Sequence, residues 1–357
     1  SLTVFIVLLS TIAVAQDKGH GKELTSPLFL KTPSASTGID FVNSIKETEE
    51  NNYLINRGIY QGAGVAVGDL NNDGLQDIYF AGNQVGDQLY INRGNLKFTN
   101  ETAYSGIIDD GSWSAGVSII DINGDGYNDI YVCKYLLEGK EVVNENKLYI
   151  NNGKGGFVNM AKEFGINDNG YSTDAIWFDF DRDNDLDLYV VNQPPNHRDL
   201  LAQLGNKIDY QYTDRIYRNN GDNTFSDITK IAGIENFAYG LSGSIIDIDK
   251  NGFPDIYVSN DYEEPDFLYL NNGDGTFRNI TDYSFKHMSN FSMGTDVGDI
   301  NNDGLPDLIT VDMAAADNYR LKANMSGMNP EKFWGLVLQG YHYQYMFNSL
   351  QLNNGNG

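Results

Sequence analysis

DLNNDGLQD, at Asp69–Asp77, is the first of five stretches that share one nine-residue acidic pattern. The others are DINGDGYND (Asp121–Asp129), DFDRDNDLD (Asp179–Asp187), DIDKNGFPD (Asp247–Asp255) and DINNDGLPD (Asp299–Asp307). Each has Asp at position 1, Asp or Asn at positions 3 and 5, Gly or once Asn at position 6, and Asp at position 9. Ca²⁺ takes about six to eight oxygen ligands, which alternate positions of one curled loop can supply. The pattern therefore predicts five calcium-binding loops.

The side chains at positions 1, 3, 5 and 9, together with the backbone carbonyl at position 7, are the predicted ligands. Position 6 must turn sharply, a conformation that Gly tolerates and that Asn adopts more readily than most residues. The predicted ligand residues are Asp69, Asn71, Asp73, Leu75, Asp77, Asp121, Asn123, Asp125, Tyr127, Asp129, Asp179, Asp181, Asp183, Asp185, Asp187, Asp247, Asp249, Asn251, Phe253, Asp255, Asp299, Asn301, Asp303, Leu305 and Asp307.

Other interpretations of the loops are weaker. A single copy could be an Asx-rich turn between two strands, since Asp, Asn and Gly favour turns, but position 9 is Asp in all five copies. Mg²⁺ demands tighter octahedral geometry. Zn²⁺ is disfavoured because no loop contains His or Cys. The absence of flanking amphipathic helices argues against an EF-hand. Because there are five loops, we expect about five structural Ca²⁺ ions.

A longer unit recurs around each loop, and it predicts an all-β fold. An apolar strand precedes the loop and a second strand follows it, with Tyr two residues past the last ligand at Tyr79, Tyr131, Tyr189 and Tyr257. A third strand ends in an Asn-Gly turn, as in LYINNG, and a Phe of a fourth strand comes next. Four short strands per unit are typical of β-propeller blades. The aromatic residues are interpreted as packing between blades.

Length variation falls almost entirely between the second and third strands of each unit. In an up-and-down blade this connection lies at the end opposite to the acidic loops, and insertions at one end of a repeat protein often mark its binding surface. The predicted surface comprises 83–87, 193–214, 260–266 and 312–348, with a helix near Pro330–Leu338. Insertions that are merely tolerated, without a partner, are the alternative.

The net charge restricts the possible partners, and the two ends of the chain indicate the domain boundaries. The net charge of −25 disfavours a nucleic-acid partner. Residues 1–16 (SLTVFIVLLSTIAVAQ) are interpreted as a truncated signal peptide, residues 17–40 as a flexible lead-in, and residues 41–357 as the propeller, C-terminally truncated. Phe41 is expected to begin an outer strand that closes a ring. We expect no transmembrane span in the mature chain, and the single Cys133 cannot form an internal disulfide.

These repeats resemble FG-GAP/VCBS repeats, which are similar to the blades of the integrin α-subunit propeller. The resemblance covers about residues 40–357 and implies calcium ligands at positions 1, 3, 5 and 9 of the loops. It also implies a propeller of the seven-bladed type, incomplete in this chain. The closing stretch FWGLVLQGYHYQYMFNSLQLNNGNG resembles envelope proteins of Bacteroidota-type bacteria, which often continue into an ASPIC/UnbV module.

The leading functional hypothesis is a secreted or cell-surface binding or adhesion scaffold, bacterial in origin. It would hold a protein or glycan through the insertions, and its metals would be structural. The alternative is a carbohydrate-active enzyme of the polysaccharide lyase type, for which the candidates are His197, Arg198, Tyr341, His342 and Tyr343. A structural part of a larger assembly is a third possibility. No Ser/His/Asp or Cys/His pattern stands out, so no catalytic residue is assigned.

Overall fold

Five antiparallel β-sheets follow one another along the chain in a computed structural model, which describes residues 29–55, 57–135, 144–194, 210–315, 317–323 and 329–355. Four of them are antiparallel sheets of four strands in sequence order, and the fifth has three strands. This arrangement confirms the predicted all-β propeller type, with four complete blades in the described part of the chain. We number the sheets blades 1 to 5.

The strands are short and contiguous within each blade. Blade 1 contains β1 (Val65–Gly68), β2 (Asp77–Phe80), β3 (Gln88–Asn92) and β4 (Phe98–Asn100). Blade 2 contains β5 (Trp113–Ile120), β6 (Asp129–Tyr135), β7 (Lys147–Asn151) and β8 (Phe157–Asn159). Blade 3 contains β9 (Ser172–Phe178), β10 (Asp187–Asn192), β11 (Arg215–Asn219) and β12 (Phe225–Asp227). Blade 4 contains β13 (Tyr239–Ile246), β14 (Asp255–Asp261), β15 (Phe267–Asn271) and β16 (Phe277–Asn279). Blade 5 contains β18 (Ser292–Gly298), β19 (Asp307–Asp312) and β21 (Ser349–Gln351), beside a parallel pair of β17 (Met288–Ser289) and β20 (Gln344–Tyr345).

Helices occupy connections between strands. They are α1 (Ser34–Thr37), α2 (Thr102–Ser105), α3 (Ala161–Phe164), α4 (Thr229–Ala232), α5 (Thr281–Ser284), α6 (Asn318–Ala323) and α7 (Pro330–Leu338), with 3₁₀ turns at Arg57–Tyr60 and Tyr210–Tyr212. Helix α7 confirms the helix predicted near Pro330–Leu338. Its N-cap is Asn329, whose side chain accepts a hydrogen bond from the Glu331 N–H at 2.8 Å. No helix of the described ranges is long and apolar enough to cross a membrane.

The core lies between neighbouring blades. The second-strand tyrosines Tyr79, Tyr131, Tyr189 and Tyr257 are at most 2% exposed, which confirms their interpretation as packing residues. Each outer-strand Phe from blade 2 onwards packs against the preceding blade. Phe157 is buried with Leu70 and Leu89, and Phe277 with Phe180 and Ile216. Each blade therefore buries a face of its neighbour, as repeat packing requires.

The first strands of successive blades lie side by side. The Gly64 N–H donates to the Ala115 carbonyl at 2.7 Å, and the Trp177 indole N–H donates to the Ser118 hydroxyl at 2.9 Å. Apolar residues of the first and last blades are exposed: Val65 and Val67 on β1 of blade 1, and Ile309 and Val311 on β19 of blade 5.

Phe41 does not begin the outer strand that its sequence pattern suggested. Residues 38–48 have no regular secondary structure, and the Phe41 ring stacks on Phe80 with centroids 4.9 Å apart. Polar contacts fix the segment on blade 1, because the Tyr90 hydroxyl donates to Asp40 at 2.6 Å. Residues 1–28, which include the predicted signal peptide, lie outside the described residues.

Candidate functional site: acidic loops and the connection face

Each acidic loop joins the first and second strands of its blade. Position 1 directly follows the first strand, and position 9 is the first residue of the second strand, as in β1 and β2 around Asp69 and Asp77. The loops therefore lie at one end of the strands, together with the turns between third and fourth strands. We call this end the loop face. The opposite end, with the connections between strands 2 and 3 and between blades, is the connection face, where the predicted insertions lie.

The loops curl around the carboxylate at position 1. In loop 1 the Gly74 N–H donates to Asp69 at 2.8 Å, and the Leu75 N–H donates to Asp73 at 2.8 Å. Position 6 has positive φ in all five loops, as predicted. The residues are Gly74 (82°), Gly126 (87°), Asn184 (73°), Gly252 (87°) and Gly304 (81°).

Position 4 also has positive φ in every loop, which the sequence analysis did not anticipate. The residues are Asn72 (58°), Gly124 (69°), Arg182 (67°), Lys250 (60°) and Asn302 (61°). Asn and Gly at three of these positions were the available signal, since both favour the left-handed region. Arg182 and Lys250 adopt it without that preference, so the loop geometry imposes the conformation.

The Asp at position 9 is fully buried and bridges its loop to the third strand. In loop 3 the Asp187 carboxylate accepts from the backbone N–H groups of Phe180 and Asn219, at 3.1 and 2.9 Å. The corresponding pair of bonds occurs in all five loops. Burial raises the pKa of Asp129 to about 6, of Asp187 to about 7 and of Asp255 to about 6.

Loops 3 and 4 bring three carboxylates together. Oxygens of Asp179, Asp181 and Asp187 lie within 4.8 Å of one another, and so do those of Asp247, Asp249 and Asp255. One oxygen each of Asp181 and Asp247 is buried without a hydrogen-bond partner. Buried carboxylate oxygens without donors are costly unless a cation compensates them. These two groups could hold a metal ion.

Loops 1, 2 and 5 differ at position 3, where Asn replaces Asp. The Asn71 side-chain amide donates to Asp73 at 3.1 Å, and Asn123 and Asn301 make the same contact with Asp125 and Asp303. At positions 1, 3, 5 and 9 these loops have three carboxylates each, as loop 4 does with Asn251 at position 5, whereas loop 3 has four.

The loops also join neighbouring blades. The Asn at the end of a third strand donates its side-chain amide to the position-2 carbonyl of the preceding loop. The pairs are Asn151 with Leu70 at 2.8 Å, Asn271 with Phe180 at 2.9 Å, and Asn353 with Ile248 at 2.9 Å. Whatever rigidifies a loop therefore also rigidifies the contact between two blades.

A second position with the same hydrogen bond in every blade lies at the connection face, and the sequence did not predict it. It is the residue directly before each third strand: Asp87, Asn146, Asp214, Asp266 and Asn348. Each accepts a hydrogen bond from the backbone N–H five residues after the position-9 Asp, namely Gly82, Lys134, Asn192, Asn260 and Asp312. An Asp or Asn before every third strand was the signal that could have revealed it.

A cluster of aromatic rings lies at the connection face of blade 5. We call it the aromatic cluster: His287, Phe333, Trp334, Tyr343, Tyr345 and Phe347. The Tyr345 and Phe347 rings stack at 5.7 Å, and Phe333 lies 5.4 Å from Tyr345. Trp334 is 56% exposed and Tyr343 is 43% exposed. The insertion 312–348 thus presents a partly solvent-exposed aromatic surface.

Specific contacts anchor the aromatic cluster to blade 4. Lys332 forms an ion pair with the buried Glu263, and the Gln344 side-chain amide donates to the Glu264 carbonyl at 3.1 Å. Strand β20 pairs with β17 in the connection between the blades. The rings therefore sit on a fixed support.

Two carboxyls lie beside this support, Asp261 buried and Glu264 half-buried. The pKa of each is raised to about 7, chiefly by burial, with a contribution from a neighbouring carboxylate, Asp312 for Asp261 and Glu263 for Glu264. Burial, followed by Glu264 and Glu263, raises the pKa of the Tyr341 hydroxyl.

The predicted enzymatic candidates are only partly brought together. His342 has its Nε2 atom 2.9 Å from the Phe285 carbonyl and its Nδ1 atom 3.3 Å from the Tyr343 carbonyl. Tyr341 and Tyr343 flank it in the sequence. His197 and Arg198 lie outside the described residues, as does most of the insertion 193–214.

Comparison with known proteins places these repeats in a family. The model of the FG-GAP-like repeat matches residues 69–132, 139–190, 196–258 and 247–310, more than half of the chain. The chain belongs to the FG-GAP-like repeat proteins.

The curated proteins to which this FG-GAP-like chain is similar are distant relatives and are longer than the chain. Cartilage acidic protein 1 of Mus musculus is 25% identical over 201 residues, 56% of this chain and 28% of that protein. Its Homo sapiens counterpart is 25% identical over 221 residues, 61% of this chain and 31% of that protein. The chain thus spans about a third of their length. Among solved structures, an Agrocybe aegerita lectin that recognises non-reducing terminal N-acetylglucosamine is 18% identical with a TM-score of 0.45, covering 86% of this chain and 67% of the lectin.

Proposed function

We propose that this protein is a secreted or cell-surface binding module, in which Ca²⁺ ions in the acidic loops stabilise the blades and the connection face holds a protein or glycan. The aromatic cluster is the observation that carries the proposal. Exposed aromatic residues on a rigid support supply large contact area at low conformational-entropy cost. Trp334 contacts the Phe333 ring edge-on at 5.2 Å, and 56% of its surface remains exposed and available to a ligand.

The loop geometry supports a structural role for the metal. Both oxygen trios lie on the loop face, at the far end of the strands from the aromatic cluster. An ion there would neutralise Asp179, Asp181 and Asp187 and fix the blade-to-blade contact through the loop carbonyls. Oxygen-only donors favour Ca²⁺ over softer metals.

Two measurements test the proposal separately. Melting in EDTA and in millimolar Ca²⁺ tests whether the metal stabilises the fold; an unchanged Tm would contradict structural calcium.

Binding to a panel of immobilised neutral and acidic polysaccharides and extracellular proteins tests the connection face. Trp334→Ala should weaken the binding about tenfold or more, as central aromatic contacts do. The matched control is Tyr104→Ala, which removes an 84% exposed ring from the connection between blades 1 and 2, on the same face but outside the aromatic cluster. Equal binding by both variants would contradict the assignment of the surface.

A carbohydrate-active enzyme is the second candidate, and one observation favours it. Two carboxyls with pKa values of about 7, Asp261 and Glu264, lie next to the aromatic cluster, and a carboxyl with such a pKa can act as a general acid or base near neutral pH. Product release from polyuronate or neutral polysaccharides, lost in Glu264→Gln with binding retained, would favour this function. Binding without turnover, in the wild type and in Glu264→Gln alike, would favour the binding module.

A further inference from the structure

The interface between blades 1 and 2 contains a buried ammonium group. Lys134, near the end of β6, is 3% exposed, and its Nζ atom lies 3.3 Å from the Asp87 carboxylate. The same ammonium donates to the Ser114 hydroxyl at 2.6 Å. Lys134 and Ser114 are paired residues of β6 and β5, so their side chains lie on the same face of the sheet. The ammonium compensates the buried charge of the Asp87 carboxylate.

The interface between blades 4 and 5 has a carboxyl at the position of this ammonium. Asp312 comes five residues after the position-9 Asp of its loop, as Lys134 does. It pairs with Ser292 of β18, as Lys134 pairs with a serine of β5. Asp266 stands directly before β15 as Asp87 stands before β3, and it accepts a hydrogen bond from the Ser292 hydroxyl at 2.8 Å. Where blade 2 supplies a cation, blade 5 therefore supplies a second carboxyl.

A third carboxyl, that of Asp261, faces the same interface. On β14 the side chains of Tyr257, Ser259 and Asp261 lie on one face, because alternate residues of a strand point to the same side. This face is turned toward blade 5, since the Tyr257 hydroxyl lies 3.4 Å from the Thr310 hydroxyl of β19. Asp312 comes two residues after Thr310 and points back toward blade 4. Asp261 and Asp312, which are 6% and 9% exposed, thus face each other across the interface.

Three buried oxygen atoms on these strands have no hydrogen-bond partner. They are the Oδ1 atom of Asp312 and the hydroxyl oxygens of Ser259 and Ser242. Ser259 is completely buried and pairs with Ser242 of β13, so both hydroxyls lie on the face of blade 4 that is turned toward blade 5. Leaving buried polar atoms unpaired is costly. Oxygen atoms without donors are the ligands that a hard cation takes, so their presence beside two carboxyls points to such an ion.

The described residues supply no counter-charge to these carboxyls. None of their ion pairs includes Asp261, Asp266 or Asp312, and Lys332 pairs with Glu263 instead. Burial, with the nearby Asp312 carboxylate, raises the pKa of Asp261 to about 7, and burial raises the pKa of Asp312 as well. Both shifts are expected where carboxyls are crowded together without a cation.

We propose that a hard divalent cation such as Ca²⁺ binds between blades 4 and 5 at the connection face, held by the carboxylates of Asp261 and Asp312 and the hydroxyl of Ser259. The ion occupies the position that the Lys134 ammonium has between blades 1 and 2. The site is separate from the acidic loops, which lie at the opposite end of the strands, and it does not depend on whether the loops bind metal. The oxygen-only ligand set favours Ca²⁺ over softer metals.

Counting bound ions tests the site in the intact chain. Chelator-treated protein is dialysed at pH 8 against Ca²⁺ from micromolar to millimolar concentrations, and the bound Ca²⁺ is measured by atomic emission. Asp261→Asn keeps an acceptor for the Tyr262 N–H and should bind one ion fewer per chain than the wild type. The control is Asp282→Asn, which removes an exposed carboxylate from the connection between the same two blades and should bind as many ions as the wild type. The difference between the variants is independent of the number of ions in the loops.

A second variant, Asp312→Lys, replaces the proposed ion by the ammonium group that blade 2 has at this position. It should also bind one ion fewer, and its Tm in EDTA should exceed that of the wild type. Equal ion counts for the wild type and Asp261→Asn would overturn the proposal. A gain in Tm for Asp261→Asn that is the same in EDTA and in Ca²⁺ would also overturn it, because protons rather than a metal ion would then compensate the carboxyls.

Discussion

The Asp266 carboxylate accepts a hydrogen bond from the backbone N–H of Asn260 at 2.8 Å, and in blade 2 Asn146 holds the N–H of Lys134 at 2.7 Å in the same position. The two side chains are nearly isosteric, but only Asp266 can carry a charge. Tyr257 and Ser292 donate their hydroxyls to Asp266. In blade 2 the polarity is reversed, because Asn146 donates to Tyr131 and Ser172. Both side chains therefore satisfy the same network.

We expect Asp266→Asn to stabilise the protein at alkaline pH. Burial raises the pKa of Asp266 from 3.8 to about 7, so the folded protein keeps a proton that the unfolded chain has already lost. The carboxyl stabilises the fold fully below about pH 4, and this contribution is lost as the pH rises through about 7. The variant should exceed the wild type in free energy of unfolding by about 1–3 kcal/mol at pH 8 and match it at pH 4.

Urea unfolding in EDTA at pH 4, 6 and 8 measures this difference. Asp282→Asn, at an exposed position of α5, is the control and should leave the pH dependence unchanged. Parallel pH curves for the wild type and Asp266→Asn would contradict the raised pKa.

The same substitution at Asp87 should have the opposite effect. The Lys134 ammonium is 3% exposed and lies 3.3 Å from Asp87, where it also donates to Ser114. Asp87→Asn leaves this buried charge without its partner, which costs about 3–5 kcal/mol. Lys134→Met combined with Asp87→Asn removes both charges and should recover most of the loss. Urea unfolding at pH 7 of the wild type, the single variants Asp87→Asn and Lys134→Met, and the double variant gives the coupling energy. Additive effects of the two substitutions would mean that the two charges are not coupled.

Metal affinity should follow the charge at position 3 of each loop. Loop 3 has Asp181 and loop 1 has Asn71 at this position, and affinity for Ca²⁺ rises with the number of ligand carboxylates. We expect Asp181→Asn to weaken one site and Asn71→Asp to strengthen another, each by about tenfold. Calorimetric titration with Ca²⁺ at pH 8 resolves the change. Glu235→Gln, which removes an exposed charge outside the loops, controls for net charge. Identical isotherms for all variants would show that the loops do not bind the ion.

Local sequence patterns predicted the blades well because the strands of each blade are contiguous in the sequence and pair in sequence order. The positions of the loops, the buried Tyr79 and the helix at Pro330–Leu338 all follow from periodicity, turn residues and capping signals. The Asp87 position was missed because its partner N–H belongs to a different strand, which no local pattern links to it. The prediction of an outer strand at Phe41 was wrong, since a lone aromatic residue does not distinguish an outer strand from a ring that stacks on a neighbouring blade.

The aromatic cluster was only partly foreseeable. Its residues lie in one insertion, which length variation identified, and His287 comes from a separate connection. The parallel pairing of β17 with β20 that joins these two segments depends on how blades 4 and 5 sit together. Such a long-range pairing leaves no periodic signal in either short segment.

A close backbone contact makes Gly106 the most demanding of the helix-ending glycines. Its φ is 84°, and a Cβ there would lie 2.4 Å from the Phe157 carbonyl oxygen of the next blade. Gly94 has nearly the same φ, 82°, but a Cβ would meet nothing within 4 Å. Gly94→Ala therefore carries only the left-handed backbone cost, about 1 kcal/mol, and we expect Gly106→Ala to lose about 2–4 kcal/mol because blade 2 must also shift. Thermal and urea unfolding of both variants measure the difference. Equal losses would mean that the close contact between Gly106 and the Phe157 carbonyl gives way without cost, so that it does not constrain the position of blade 2.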